Sequence, residues 1–498
     1  MVENKKDYAF FFYQIFSFSL LLKIFLSYFF PLTGDEAYFI ITGKFFDLGY
    51  YEHPPMIWWI IYIFSLFGKH TLHFFYYRLF SIFTTLVIVF FIYKLLSKEK
   101  NLFLICSLFI LSPVYLLSIL ITNDIPLLLF TFLSGVFFYK GIKEERWPFF
   151  VISGIFFGLA FLSKYLSVLY FFGVFFFTLY RKEKKYWKNF AIFLFSSIPL
   201  IFINFYWNYN HCWINFLFNL VYRKRVEYFK IENIFFFFLS LFFLMTPYFF
   251  FTFLKEKFFV KKILKTEYEF FFFVFSVPLI FLFLLSFLRV VGLHWYISFI
   301  PFAFFYLKDF EENKILKTIK IALYFNGFIL ITIVLILILP VSVFKNHKNY
   351  SEIIMFKNPY PLCAYLEKFK DKYIFATSNY TYSAIMSYYC KNDFIVFGDI
   401  GHSGREYDIN FDFKKLDGKD ILIFSPLYID GKKYSEFFEE VEKKEILIEE
   451  GKFYLLFCKK FNFGKYRNII LSQTYEKFYK IPEFLPHKGN FFKEKYNF

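Results

Sequence analysis

About 22 mostly apolar residues, Ala9 to Phe30, follow the opening MVENKKDY, with one charge among them at Lys23. A helix needs about 20 such residues to cross the hydrocarbon core of a bilayer. A chain that presents one such stretch after another has a single economical solution, because every backbone polar group in lipid must be satisfied inside a helix. The first stretch is too long for a cleaved signal peptide and lacks a small-residue cleavage site, so it is expected to remain as a span. With 9–30, spans are readable near 78–96, 102–121, 124–140, 149–163, 165–180, 189–207, 232–254, 269–288, 294–307 and 316–340, about eleven crossings in all.

Two of these divisions rest on length. Residues 102–140 would make about 58 Å of helix, nearly two bilayer cores, so the chain must turn inside them. Thr122-Asn123-Asp124-Ile125-Pro126 supplies the only turn chemistry read there. Residues 148–180 pose the same problem, and only Ser163-Lys164 interrupts them. Both tips therefore carry a charge.

Composition agrees with this reading. Hydrophobic residues make up 58% of the chain, against about 45–50% for soluble domains. A net charge of +17 raises the question of nucleic acid, but Lys and Arg fall in short runs between apolar spans, as in cytoplasmic membrane loops. No nucleic-acid partner is expected; the lipid bilayer is. With the N-terminus in the cytoplasm, the runs around Lys94–Lys100, Lys140–Arg146 and Arg181–Lys188 lie inside. The opening loop, Asp124, Lys164, the loop Asn208–Lys230 and the Arg289–His294 turn then lie outside.

Beyond residue 340 the pattern changes. KYIFAT, DFIVFG, DILIFSP and FYLLFC have strand length, and TYSAIMSYYC reads as a helix. The expected organisation is an all-α polytopic membrane domain over residues 1–344, followed by a small α/β extracytoplasmic domain over 345–498. Loop 31–77 of the first would carry interfacial helices, since MIWWIIYIF is too short to span. The five cysteines show neither CxxC pairs nor a metal-ligand spacing, so neither a disulfide framework nor a zinc ribbon is expected. No internal repeat is found, which disfavours a transporter built from duplicated halves.

Against this apolar background, FPLTGDEAYFIITGKFFDLGYYEHPP places Asp35, Glu36, Asp47, Glu52 and His53 in one short loop. Charged groups at membrane depth are costly and are usually paired or functional. Structural duties compete with functional ones at each position. Thr33 or Asp35 can cap a helix running on as EAYFIITGKFF, and Asp124 can cap the next span with Pro126 in its first turn. Glu52 and His53 can belong to a solvated turn, His211 in WNYNHCW can be an interfacial polar residue, and Lys23, Lys164 and Arg289 can snorkel. Asp47 reads as a surface turn residue.

A carboxylate at an outer membrane boundary can take the proton of an attacking hydroxyl, and Lys, Arg or His can neutralise a leaving phosphate. Asp35, Asp124 and Glu36 are thus candidate catalytic acids; Lys164, Arg289 and His294 are candidate phosphate-binding groups. The set suits transfer from a membrane-tethered phosphate ester. It does not suit a nucleotide-dependent enzyme, since no Gly-rich phosphate loop is present.

The order GDEAYF, GYYEHPPMIWW, ITNDIPLLLF, GIFFGLAFLSKY, FYWNYNHCW and GLHWYISF resembles the GT-C glycosyltransferases. The nearest branch is similar to the bacterial dolichyl-phosphate-mannose-protein-mannosyltransferase-like and lipid A aminoarabinose transferase-like proteins. The likeness covers roughly residues 10–310, and the tail segment SAIMSYYC with GDIGHSGREYD is also similar. What it implies is an integral membrane, inverting transfer from a polyprenyl-phosphate-linked sugar to a hydroxyl of a glycolipid such as lipid A, a polysaccharide or a protein. The setting would be the outer face of a bacterial plasma membrane. The resemblance makes Asp35 the base with Glu36 beside it, Asp124 a second cavity acid, Lys164 the group facing the donor phosphate, and Glu52 with His211 a pair that holds a divalent metal ion in some relatives. The sequence departs at His53, where aminoarabinose transferases tend to carry Lys, and at Tyr38, where they tend to carry Arg, which leaves the acceptor open. A transporter or flippase of lipid-linked sugars is the main alternative, and a structural or sensing membrane protein a third.

Overall fold

The computed structural model describes residues 2–68, 73–222, 229–255, 264 and 266–498. Parts of two of the loops, 69–72 and 223–228, lie outside the described residues, as do Lys257, Lys261, Lys262 and Lys265. By contact the chain divides into two compact units. One holds Met1–Phe30, His73–Ile203 and Arg225–Leu337; the other holds Pro31–Leu72, Asn204–Lys224 and Ile338–Phe498. The opening loop thus groups with the C-terminal residues, where the sequence reading assigns it to the span-bearing part.

In the first unit and its continuations, six described helices are long and apolar enough to cross a membrane: Lys6–Phe29, Phe74–Leu95, Asp124–Glu144, Lys184–Asn210, Glu269–Ser286 and Glu312–Ile338. The other expected crossings are shorter or broken. Residues 102–121 form Leu102–Ile110 and Pro113–Leu117, because Ser112 caps the second piece, accepting from Tyr115 N at 3.4 Å, and Pro113 sits in its first turn. Ser112-Pro113 is therefore a second break that the sequence reading passed over. Side chains satisfy carbonyls at this break: Asn326 Nδ2 donates to Leu111 O at 2.6 Å. Residues 232–254 break between Ile231–Leu244 and Pro247–Lys255, with Thr246 at φ 65° before Pro247. Residues 294–307 hold a 3-10 run, Ile300–Asp309, rather than an α-helix.

Lys23 does not snorkel. It is 1% exposed, its Nζ donates to Tyr115 O at 2.7 Å and Thr85 Oγ1 at 2.9 Å, and it lies 4.4 Å from the Tyr115 ring centroid. The ammonium satisfies a carbonyl in the broken segment 113–117 and so ties that segment to the first span.

Asp124–Glu144 and Pro148–Ser163 form an antiparallel pair. Phe138 packs on Phe150 and Phe130 on Phe156, and the Ser134 and Ser153 hydroxyls each donate to the other's carbonyl, at 2.9 and 2.8 Å. The chain reverses again at Lys164, whose backbone is extended at φ −165° and ψ 138°. Phe157 meets Tyr170 and Phe171 across that reversal at about 6 Å between ring centroids. Ser163-Lys164 therefore makes the turn expected of it.

The second unit contains one five-stranded sheet. Its strands are β1 (Ile374–Thr377), β2 (Phe394–Val396), β3 (Ile421–Ser425), β4 (Glu440–Ile448) and β5 (Gly451–Lys459), in the order β2-β1-β3-β5-β4. β1 pairs in parallel with β2 and β3, whereas β3–β5 and β5–β4 are antiparallel. The apolar run DILIFSP forms β3, all five residues of which are buried, as a central strand covered on both faces requires. Tyr51 of the opening loop and Trp207, Cys212, Ile214 and Phe218 share the apolar core with Ala376, Ile395 and Ile423 of the strands. That shared core is why the loop and the tail form one unit. Helix Tyr380–Cys390 is capped by Asn379, which accepts from Thr381 N at 2.8 Å. Its last residue forms a disulfide with Cys363 of helix Tyr360–Leu366. This bond corrects the cysteine expectation: spacing in the sequence carries no sign of a pairing that depends on two helices meeting.

Candidate functional site

The opening loop begins with a helix, Gly34–Thr42, that a capping box fixes in place. Thr33 Oγ1 accepts from Glu36 N, while Thr33 N and Oγ1 donate to Glu36 Oε2 at 3.1 and 3.0 Å. Of the two caps the sequence allowed, Thr33 is the one formed. Glu36 is fully buried with its carboxylate engaged in the cap. Asp35, one position earlier, is exposed, in the first turn where the helix dipole favours an anion. Tyr380 Oη donates to Asp35 Oδ1 at 3.4 Å. Burial, then the charge of Asp35, pushes the Tyr380 hydroxyl up to about 12, so it is a donor at neutral pH.

Glu52 is buried in the same unit. Its Oε1 accepts from Gly404 N at 2.6 Å and Arg405 N at 3.0 Å, and its Oε2 from Tyr38 Oη at 2.6 Å. Burial pushes its carboxyl up to about 7, against the pull of those three donors. Glu406 is held well above the usual carboxylate range, first by burial and also by the charge of Glu52, while accepting from Tyr51 N at 2.9 Å. Arg405 pairs with Asp408 at 3.1 Å, and Tyr479 Oη donates to the same Asp408 oxygen at 2.9 Å. The opening loop is thus clasped to residues 404–408 by a buried polar network. Its C-terminal partners were not singled out as site residues, although GDIGHSGREYD, with glycines next to charges, contains them.

His211 has other neighbours. Its ring stacks on Trp207 at 4.2 Å, its Nδ1 lies 3.0 Å from Trp207 O, and Phe491 packs beside it. None of these is a hydrogen-bond partner of the Glu52 carboxylate. Among the described residues, no group of three or more His, Cys, Asp or Glu side chains could hold a metal ion. With both Glu52 oxygens accepting from Tyr38, Gly404 and Arg405, the arrangement does not fit a metal ion at Glu52 and His211.

In the first unit, Asp124 and Lys164 come together. Lys164 Nζ donates to Asp124 Oδ1 at 2.7 Å, and both side chains are buried. The antiparallel register of 124–144 against 148–163 sets these two residues opposite each other. Arg289 stacks over Trp295 at 5.4 Å, and its buried Nε finds no acceptor among the described residues. His294 is exposed beside the same indole.

Residues 52–207 match the family described as dolichyl-phosphate-mannose-protein mannosyltransferase. The fold is that of ArnT from Cupriavidus metallidurans in the apo state, with a TM-score of 0.62 at 12% identity, over 91% of this chain and 98% of that one. The chain is therefore similar in part of its sequence to a mannosyltransferase family and in fold to ArnT. ArnT from Cupriavidus metallidurans bound to undecaprenyl phosphate is similar to this chain with a TM-score of 0.59 at 12% identity, over 89% of this chain and 97% of that one. No curated protein matches it. With six described helices long and apolar enough to cross a membrane it is a multi-pass membrane protein, and its matched segment contains Glu52, Asp124 and Lys164.

Proposed function

We propose that this protein is a GT-C glycosyltransferase that transfers a sugar, with inversion, from a polyprenyl-phosphate-linked donor to a hydroxyl of an envelope glycolipid, polysaccharide or protein. The carrying observation is the match of residues 52–207 to a mannosyltransferase family on a chain with the ArnT fold, a protein whose structure is also known with undecaprenyl phosphate. The acceptor oxygen forms a bond to the anomeric carbon as its proton passes to the Asp35 carboxylate. The bond from that carbon to the phosphate oxygen breaks, and polyprenyl phosphate leaves with the electron pair. A single in-line displacement inverts the carbon.

Asp35 suits the base because it is an exposed carboxylate fixed on a capped helix. Glu36 serves it by closing that cap. Lys164, Arg289 and His294 oppose the phosphate charge, and Asp124 holds Lys164. The unmatched Nε of Arg289 supports its part in this.

The second unit lies on the outer face of a bacterial plasma membrane, and the N-terminus lies in the cytoplasm. The Lys and Arg bias of the loops supports this orientation, and so does the Cys363–Cys390 bond, since disulfides persist in oxidising compartments.

Proteoliposomes given a radiolabelled undecaprenyl-phosphate sugar and isolated envelope acceptors test the reading. Label in a covalent product supports it. Movement of intact donor across the bilayer with no new product would make the protein a carrier and overturn the proposal.

A further inference from the structure

The tail of the chain reaches the proposed base through one side chain. Tyr380 is the first residue of helix Tyr380–Cys390, and the helix is held at both ends, by the Asn379 cap and by Cys390 in its disulfide. Its ring meets the Tyr38 ring edge-on at 5.2 Å. On another side the backbone of Gly404 leaves no room: a Cβ there would stand 2.4 Å from Tyr380 Cβ, and Gly404 has φ +80°, where a side chain is strained. Next to it, Thr381 Cγ2 would stand 2.2 Å from a Cβ at Gly34, so the two helices touch at the start of each. The hydroxyl that results from this wedging is the one 3.4 Å from Asp35 Oδ1.

We propose that Tyr380 is a positioning residue for the transfer reaction. Its hydroxyl orients one oxygen of Asp35 and favours the ionised carboxylate that receives the acceptor proton. The inference rests on Asp35 being the base. It gives residues 380–390 a duty in catalysis. Tyr380 does not touch substrate in this account, so its loss acts on turnover and leaves donor affinity alone.

The test uses the full chain in detergent or proteoliposomes. Tyr380→Phe removes the hydroxyl and keeps the ring against Tyr38. Turnover from undecaprenyl-phosphate sugar is expected to fall about tenfold with KM for the donor unchanged, as for loss of one hydrogen bond to a charged group. An activity-independent arm measures carbodiimide labelling at Asp35 against Asp47 as an internal standard. Labelling of Asp35 near neutral pH is expected to rise about threefold in Tyr380→Phe, because a carboxylate that loses a donor is protonated more often. Unchanged labelling and unchanged turnover overturn the proposal. If Asp35→Asn transfers at the wild-type rate while the labelling still rises, the base assignment has failed and the Tyr380 contact stands.

Discussion

Lys164 and Asp124, forty residues apart, meet at 2.7 Å at one end of an antiparallel helix pair, where two chain reversals are pinned by a single buried ion pair. Taking the Lys164 charge away leaves the buried Asp124 carboxylate without its counter-ion, at a cost of about 3–5 kcal/mol. Lys164→Met should therefore lower the Tm of the purified protein clearly. Lys164→Met with Asp124→Asn should recover most of that loss, and a double variant as unstable as the single one would contradict the ion-pair account. In the transfer assay, Lys164→Ala should raise KM for the donor more than for the acceptor. Equal loss on both would mean that Lys164 is structural.

Glu52 makes stability depend on pH in a definite direction. Its carboxyl is raised from 4.5 to about 7 in the folded protein. A raised carboxyl favours folding while it is protonated, so the contribution is full below about pH 4.5 and is lost as pH rises through about 7. The whole amplitude is on the order of 3 kcal/mol. Glu52→Gln removes the titration, so the Tm advantage of wild type over the variant should shrink from pH 5 to pH 8. A constant difference across that range contradicts the raised carboxyl.

The Cys363–Cys390 bond closes a loop of separation 27. Removing it should cost about 3 kcal/mol on chain-entropy grounds, seen as a lower Tm for Cys363→Ser. Maleimide added to the denatured, unreduced protein should label Cys106, Cys212 and Cys458 and spare Cys363 and Cys390. Labelling of all five would show that the bond is absent.

What the sequence revealed and what it hid divide along local and distant causes. Asn123-Asp124 and Ser163-Lys164 are readable because a helix twice the bilayer thickness must turn, and polar residues mark where. Ser112-Pro113 carries the same kind of signal, but it lies within an apolar run, and tertiary support from Asn326 and Lys23 makes that break tolerable. The clasp from Glu52 to Gly404 and Arg405 spans 352 and 353 positions, and no local pattern encodes such a contact. The same holds for Tyr380 on Asp35. Glu36, read from the sequence as a candidate catalytic acid, closes the capping box of TGDE, and Asp35 beside it stands out once the cap is assigned to Thr33.

Gly34 is needed because helix Tyr380–Cys390 packs on it. Gly34→Ala would bring a methyl to 2.2 Å from Thr381 Cγ2, so overpacking should cost about 1–3 kcal/mol. Thr381→Ser removes that methyl and should restore much of the Tm in the double variant. No recovery would mean that the two helices do not meet there.

In the proposed transfer, Asp35 accepts the acceptor proton. Transfer of radiolabel from undecaprenyl-phosphate sugar by Asp35→Asn, compared with wild type at equal Tm and equal membrane insertion, tests it most directly. Transfer should fall to background. Transfer at the wild-type rate would contradict it.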